Sequence, residues 1–156
     1  MSTRVDYRSA APGAFRAMLG LERHVHECGL EGSLLELVKM RASQINGCAY
    51  CLDMHSKDAR AAGETEQRLH VLPAWREAPF YTARERAALG WTEALTLVSE
   101  SRVPDDVYEE ARRHFSEAEL VNLSLAVIAI NGWNRLAIGF RTQAGSYQPG
   151  EPADRS

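Results

Sequence analysis

The stretch "QINGCAYCLDMHSK", residues 44–57, places Cys48 and Cys51 three residues apart and His55 four further on. Cysteine reacts as the thiolate, and a helix N-terminus or a neighbouring imidazolium lowers its pKa towards neutrality. A close thiol pair supports a redox cycle. One sulfur attacks an oxidant and becomes a sulfenic acid, the other condenses with it, and an outside thiol reduces the resulting disulfide. The same residues also supply three of the four ligands of a zinc site, with Cys28 or another histidine as the fourth. The plainest reading is a helix whose cysteines are small buried hydrophobes, and that is the reading for Cys28.

The helix carrying these residues separates the readings. Asn46-Gly47 ends one helix, because both residues tolerate the left-handed conformation of a C-terminal cap, and Cys48 to Ala62 forms the next, closed by Gly63. At 100° per residue, Cys48, Cys51, Leu52, His55, Ala59 and Ala62 share one inward stripe, with Asp53, Lys57 and Arg60 opposite. His55 lies one turn beyond Cys51, within reach of it. Cys48 lies in the first turn, where free N–H groups and the helix dipole favour an anion. Structural zinc usually takes its paired cysteines from a knuckle rather than from a helix face, so the redox reading leads. His24, His26, His70 and His114 lack ligand spacing and are expected at the surface. Glu36, on the preceding helix, is the candidate to orient His55. Its place on the wheel leaves two other readings open: a solvated residue, or the capping-box partner of Ser33.

Around this pair the chain reads as helix after helix: 11–27, 33–45, 48–62, 82–100, one opened by Pro104, and a last long one capped by Ser116. The last is apolar nearly all round from Leu120 to Ile130 and is expected to be the most buried. No stretch alternates like a strand, so the fold class is all-α, a single domain over residues 1–142 with a disordered tail over 143–156. The chain has 156 residues, 45% hydrophobic and 25% charged, with net charge −3, which gives no electrostatic case for nucleic acid or membrane partners. The first fifteen residues lack a signal-like apolar core, and "LVNLSLAVIAI" is short and interrupted for a span, so a cytoplasmic location is expected. Three cysteines in that reducing compartment point to catalysis or metal rather than a disulfide framework. Trp91 and Trp133 are read as core residues that could line a pocket. Asn131, Asn134 and Arg135 are read as helix-end or interface residues.

"ELVKMRASQINGCAYCLDMH" resembles the core motif of the alkylhydroperoxidase AhpD / carboxymuconolactone decarboxylase family: a glutamate twelve residues before Cys-x-x-Cys, and a histidine four after it. Glu36, Cys48, Cys51 and His55 match position by position, and "ERAALGWTEALTLV" and "INGWNRLAIGFR" look like downstream stretches of single-domain members. The resemblance implies an AhpD-like helical bundle that forms homo-oligomers (trimer or hexamer) and reduces hydroperoxides with thiols. By that likeness Cys51 attacks the peroxide and passes through sulfenic acid, and Cys48 is proton donor and disulfide partner. His55 and Glu36 then form the proton relay, and an external lipoyl or thioredoxin-like dithiol resets the pair. No haem, flavin or metal is implied. Tyr50 departs from the pattern, standing where well-studied peroxidase members often carry a histidine. The alternatives are a thiol-disulfide oxidoreductase or redox sensor with little peroxidase activity and, from another class, a zinc-holding helical scaffold.

Overall fold

The computed structural model describes residues 2–150. Among these every regular element is helical: α1 (Tyr7–Ala10), α2 (Pro12–Glu27), α3 (Gly32–Asn46), α4 (Ala49–Ala61), α5 (Glu66–Val71), α6 (Ala83–Thr96), α7 (Val98–Ser101), α8 (Asp105–His114) and α9 (Glu117–Phe140), with a 3₁₀ turn at Leu72–Ala74. The all-α expectation holds.

α3 is the hub. It packs against α4, α6 and α9, while α2 lies along α9 and α8 along α6. Leu34, Leu35, Leu37, Val38 and Met40 are buried, so α3 is apolar on several sides and can serve three neighbours at once. One core joins α2, α3, α6, α8 and α9 through Val25, Leu35, Trp91, Phe115 and Leu123. A separate small cluster holds Ala42, Cys48, Tyr50, Cys51, Ile130 and Ala137 where α3, α4 and α9 meet. α2 and α9 approach closely at Gly132, where an added methyl would lie 2.8 Å from Met18 Cε.

Capping follows the sequence at two helices. Thr82 with Glu85 and Ser116 with Glu119 both form complete capping boxes. At α3 the expectation fails. Glu31 is the N-cap residue, Ser33 sits inside the helix, and no side chain caps that end. Glu36 is thereby free of a capping role. The helix expected over 82–100 breaks at Leu97 into α6 and the one-turn α7, and α1 and α5 went unforeseen.

α9 is long and apolar enough to cross a bilayer by length and composition, a test that a buried core helix also passes. In this fold it buries Leu120, Leu123, Val127 and Ile130 but leaves Val121, Ile128 and Ile138 exposed. Of the tail expected to be disordered, residues 143–150 lie against α4. Gly145 N–H donates to Asp53, Lys57 donates to the Tyr147 carbonyl, and the Tyr147 ring is buried. Residues 151–156 lie outside the described residues.

Candidate active site

Gly47 adopts φ +69, which glycine reaches without strain, and the turn lets Cys48 N–H bond Ser43 O at 3.0 Å. That geometry makes Cys48 the N-cap of α4, and its Sγ accepts the Cys51 backbone N–H at 3.4 Å. Sulfur here occupies the place of the usual hydroxyl or carboxylate cap. Both cysteines are unbridged and buried. Asn134 reaches in from α9, fully buried. Its amide nitrogen donates to Ser43 Oγ at 3.0 Å, and its oxygen accepts Asn46 Nδ2 at 2.8 Å.

These contacts divide the two thiols. The Cys51 thiol donates to Cys48 sulfur and, with the backbone N–H of Cys51 and the Asn134 amide, holds Cys48 down to about 7 against the opposing effect of burial. The same contact, burial and the adjacent thiolate push Cys51 far above the ordinary thiol range. The contact thus makes Cys48, at the helix N-terminus, the more acidic of the two sulfurs.

His55 is one turn further along α4, and its Nδ1 lies 2.9 Å from Glu36 Oε2. His55 Nδ1 donates its hydrogen to the carboxylate, which turns Nε2 away from Glu36. Burial alone would push Glu36 up. The His55 hydrogen bond, with the charges of His55 and Lys39, overrides it and leaves Glu36 below the usual carboxylate value. Lys39 is almost completely buried, a position an ammonium holds only when paired. It bonds Glu22 at 2.5 Å and lies 3.9 Å from Glu36. Glu22 also accepts Trp133 Nε1 at 3.1 Å and pairs with His26 at 3.4 Å. One buried chain of charges thus runs from α2 through Glu22, Lys39 and Glu36 to His55.

Cys51 and His55 line a cavity of about 420 Å³, together with Tyr50, Met54, Trp133, Phe15 and Tyr7; Cys48 stands behind it. Tyr50 OH accepts Arg8 at 3.3 Å, and Tyr147 OH donates to Asp58 Oδ1 at 2.7 Å across the same space.

The structure brings together all five residues singled out for this site: Glu36, Cys48, Tyr50, Cys51 and His55. Cys28 is elsewhere, donating to Val25 O at 3.0 Å and packing on the main core, so it does not complete a zinc set with the pair. Trp133 lines the cavity, whereas Trp91 is a core residue bonded to Ser124. His26 is the one scattered histidine that reaches the cavity wall. Glu22, Lys39 and Tyr147 were missed. Asn134 was read only as a helix-end residue, and no local pattern announces any of them. Among the described residues the group best placed to hold a metal ion is Glu36, His55 and Asp58, with one ligand atom from each within 4.8 Å of the others. All three already have hydrogen-bond partners in the protein.

The model of the carboxymuconolactone decarboxylase family matches residues 12–94. The chain belongs to that family. Within it, the uncharacterised protein YdfG of Bacillus subtilis (strain 168) is 44% identical over 146 residues, spanning 94% of this chain and 99% of YdfG. A solved structure from Agrobacterium tumefaciens, of unknown function and provisionally named antioxidant defence protein AhpD, is 48% identical. It has a TM-score of 0.90 and covers 94% of this chain and 100% of its own. The debrominase Bmp8, at 20% identity and TM-score 0.76 over 88% of this chain and 74% of its own, shares the fold. The chain is thus an AhpD-like member of the carboxymuconolactone decarboxylase family.

Proposed function

We propose that this family member is a thiol-dependent peroxidase acting on hydroperoxides in the cytoplasm. The observation that carries the reading is a thiol, Cys51, on the wall of an apolar cavity beside His55, whose far nitrogen is held by Glu36. In this mechanism His55, oriented by Glu36, takes the Cys51 proton, and Cys51 sulfur attacks the terminal peroxide oxygen. The O–O bond breaks, the alkoxide takes that proton back from His55 and leaves as alcohol, and Cys51 is left as sulfenic acid. Cys48 then attacks that sulfur, hydroxide leaves as water with a proton delivered through His55, and a disulfide forms. An external dithiol of lipoyl or thioredoxin type returns two electrons and two protons. The assignment of Cys51 as attacker rests on its place in the cavity wall, and that of Cys48 as resolving thiol on its contact with Cys51 and its lowered pKa.

A homo-oligomer, trimer or hexamer, is part of the proposal. Val121 and Ile128, one heptad apart on α9, are 61% and 55% exposed, an apolar face of the kind a second copy covers. A second reading, a disulfide oxidoreductase with little peroxidase activity, is favoured by the lowered pKa of Cys48 and by Tyr50, which stands where well-studied peroxidase members often carry a histidine.

The deciding experiment is hydroperoxide consumption driven by dihydrolipoamide, run on the parent protein and on Cys51→Ser. Turnover that disappears in the variant supports the peroxidase. A variant that keeps full activity removes Cys51 from the mechanism. Reversible Cys48–Cys51 disulfide formation with no turnover in either protein moves the assignment to the oxidoreductase.

A further inference from the structure

The charged side chains on the cavity wall are nearly all satisfied from within. Glu22 holds Lys39, Glu36 holds His55, and Asp58 accepts Tyr147. Arg8 differs. It is half-buried on α1, its guanidinium lies 6.0 Å from the Tyr7 ring centre and 5.5 Å from that of Phe15, and among the described residues it has no carboxylate partner. A terminal nitrogen donates to Tyr50 OH at 3.3 Å, and the Tyr7 hydroxyl is a second side-chain partner. A guanidinium has five N–H donors in a planar fork that matches a carboxylate two at a time, so most of that capacity faces the cavity unused. The Tyr7 and Phe15 rings, whose centres are 6.2 Å apart, flank one side of the group and restrict it, which reduces the entropy lost when it binds.

The rest of the wall is apolar. Phe15, Leu19, Met54, Trp133 and Ala137 surround a space of about 420 Å³, near the lower end of the ~300–1,000 Å³ that holds drug-sized ligands. A bare hydrogen peroxide molecule would use neither the cation nor this surface.

We infer that the cavity binds amphiphilic carboxylic acids, with the carboxylate on Arg8 and an apolar or aromatic body against Phe15 and Trp133, so that the preferred substrates are hydroperoxides of such acids. The substrate assignment rests on the peroxidase reading; the binding site does not. Arg8 acts here as a binding residue, and Tyr50 fixes the direction of its fork.

The test is calorimetric titration of the reduced full-length protein with 6-phenylhexanoate and with its primary amide, which match in shape and differ in charge. The expected result is at least about tenfold tighter binding of the acid. Arg8→Gln should bring the two ligands together, and Arg8→Lys should keep part of the preference, because the charge remains while the two-pronged geometry is lost. Equal binding of acid and amide to the parent overturns the inference, as does an absence of binding by either. A preference that survives in folded Arg8→Gln, checked by its melting curve, overturns the role of Arg8. Because the probe carries no peroxide, a failed peroxidase assay leaves this result standing, and a failed titration leaves the peroxidase open.

Discussion

Glu36 and Glu93 occupy matching situations on two sides of α3, and they differ in what surrounds them. Each side chain is 14% exposed and tied to α3 or its neighbours by charged partners. Glu93 accepts Arg41 Nε and Trp75 Nε1 at 2.8 Å each and Arg76 at 2.5 Å. All three donors are fixed N–H groups of guanidinium or indole, and Glu93 is not among the residues lining the cavity beside Cys51, so the cluster is a clamp. Glu36 meets an imidazole instead, and that imidazole opens onto a cavity beside a thiol. In the proposed function Glu36 is a relay residue, whereas Glu93 is structural.

The largest effect expected from this contrast is at the thiol the relay serves: Cys51→Ser should lose at least about a hundredfold in hydroperoxide turnover. Glu36→Gln comes next. It preserves shape but withdraws the charge that orients and supports His55, so turnover should fall roughly ten- to a hundredfold, while circular dichroism and thiol count stay as in the parent. Glu93→Gln should do the reverse. Turnover per folded molecule stays within about twofold, and stability drops by about 1–3 kcal/mol in urea unfolding, since three donors lose a charged acceptor. If the two variants gave the same pattern, the distinction between clamp and relay would be lost.

Acid sharpens the same comparison. For Glu93, burial pushes the carboxyl up, but hydrogen bonds from Trp75, Arg76 and Arg41 bring it below its ordinary 4.5. A depressed carboxyl adds stability that is fully present above the unfolded value and is lost as pH falls through the folded one. The stability gap between parent and Glu93→Gln should therefore be widest near neutrality and shrink below about pH 4.5. The smallest signal is spectroscopic. Thiolate absorbance of the reduced protein should rise with a midpoint near 7, for one sulfur of the pair, and this step should vanish in Cys48→Ser.

How far the sequence disclosed these features depends on how local they are. Cys51 and His55 sit one turn apart on a single helix, so their meeting could be read from spacing alone, as could the capping boxes at Thr82 and Ser116. Glu36 was ambiguous because Ser33 three residues earlier mimics a capping box that the backbone does not form. Nothing local to Lys39 announces its burial, which follows from Glu22, seventeen residues away on another helix. Asn134 and Tyr147 reach the site from positions more than eighty residues distant in the chain, and periodicity carries no information about such pairings. The tail shows the same thing from the other side. Its composition suggested disorder, yet Asp53, Lys57 and Asp58 on α4 supply partners for Gly145 and Tyr147.

The sulfur that caps α4 has a consequence for electron flow. Cys48 accepts the Cys51 N–H best as an anion, and a disulfide would remove that charge from the helix end. Whatever stabilises the reduced thiolate counts against the oxidised pair, which raises the reduction potential and makes the disulfide a readier electron acceptor. In the proposed cycle a peroxide has driving force to spare for oxidation, whereas the dithiol that would reset the pair has much less. One helix cap would thus shift the balance of that cycle towards its harder half.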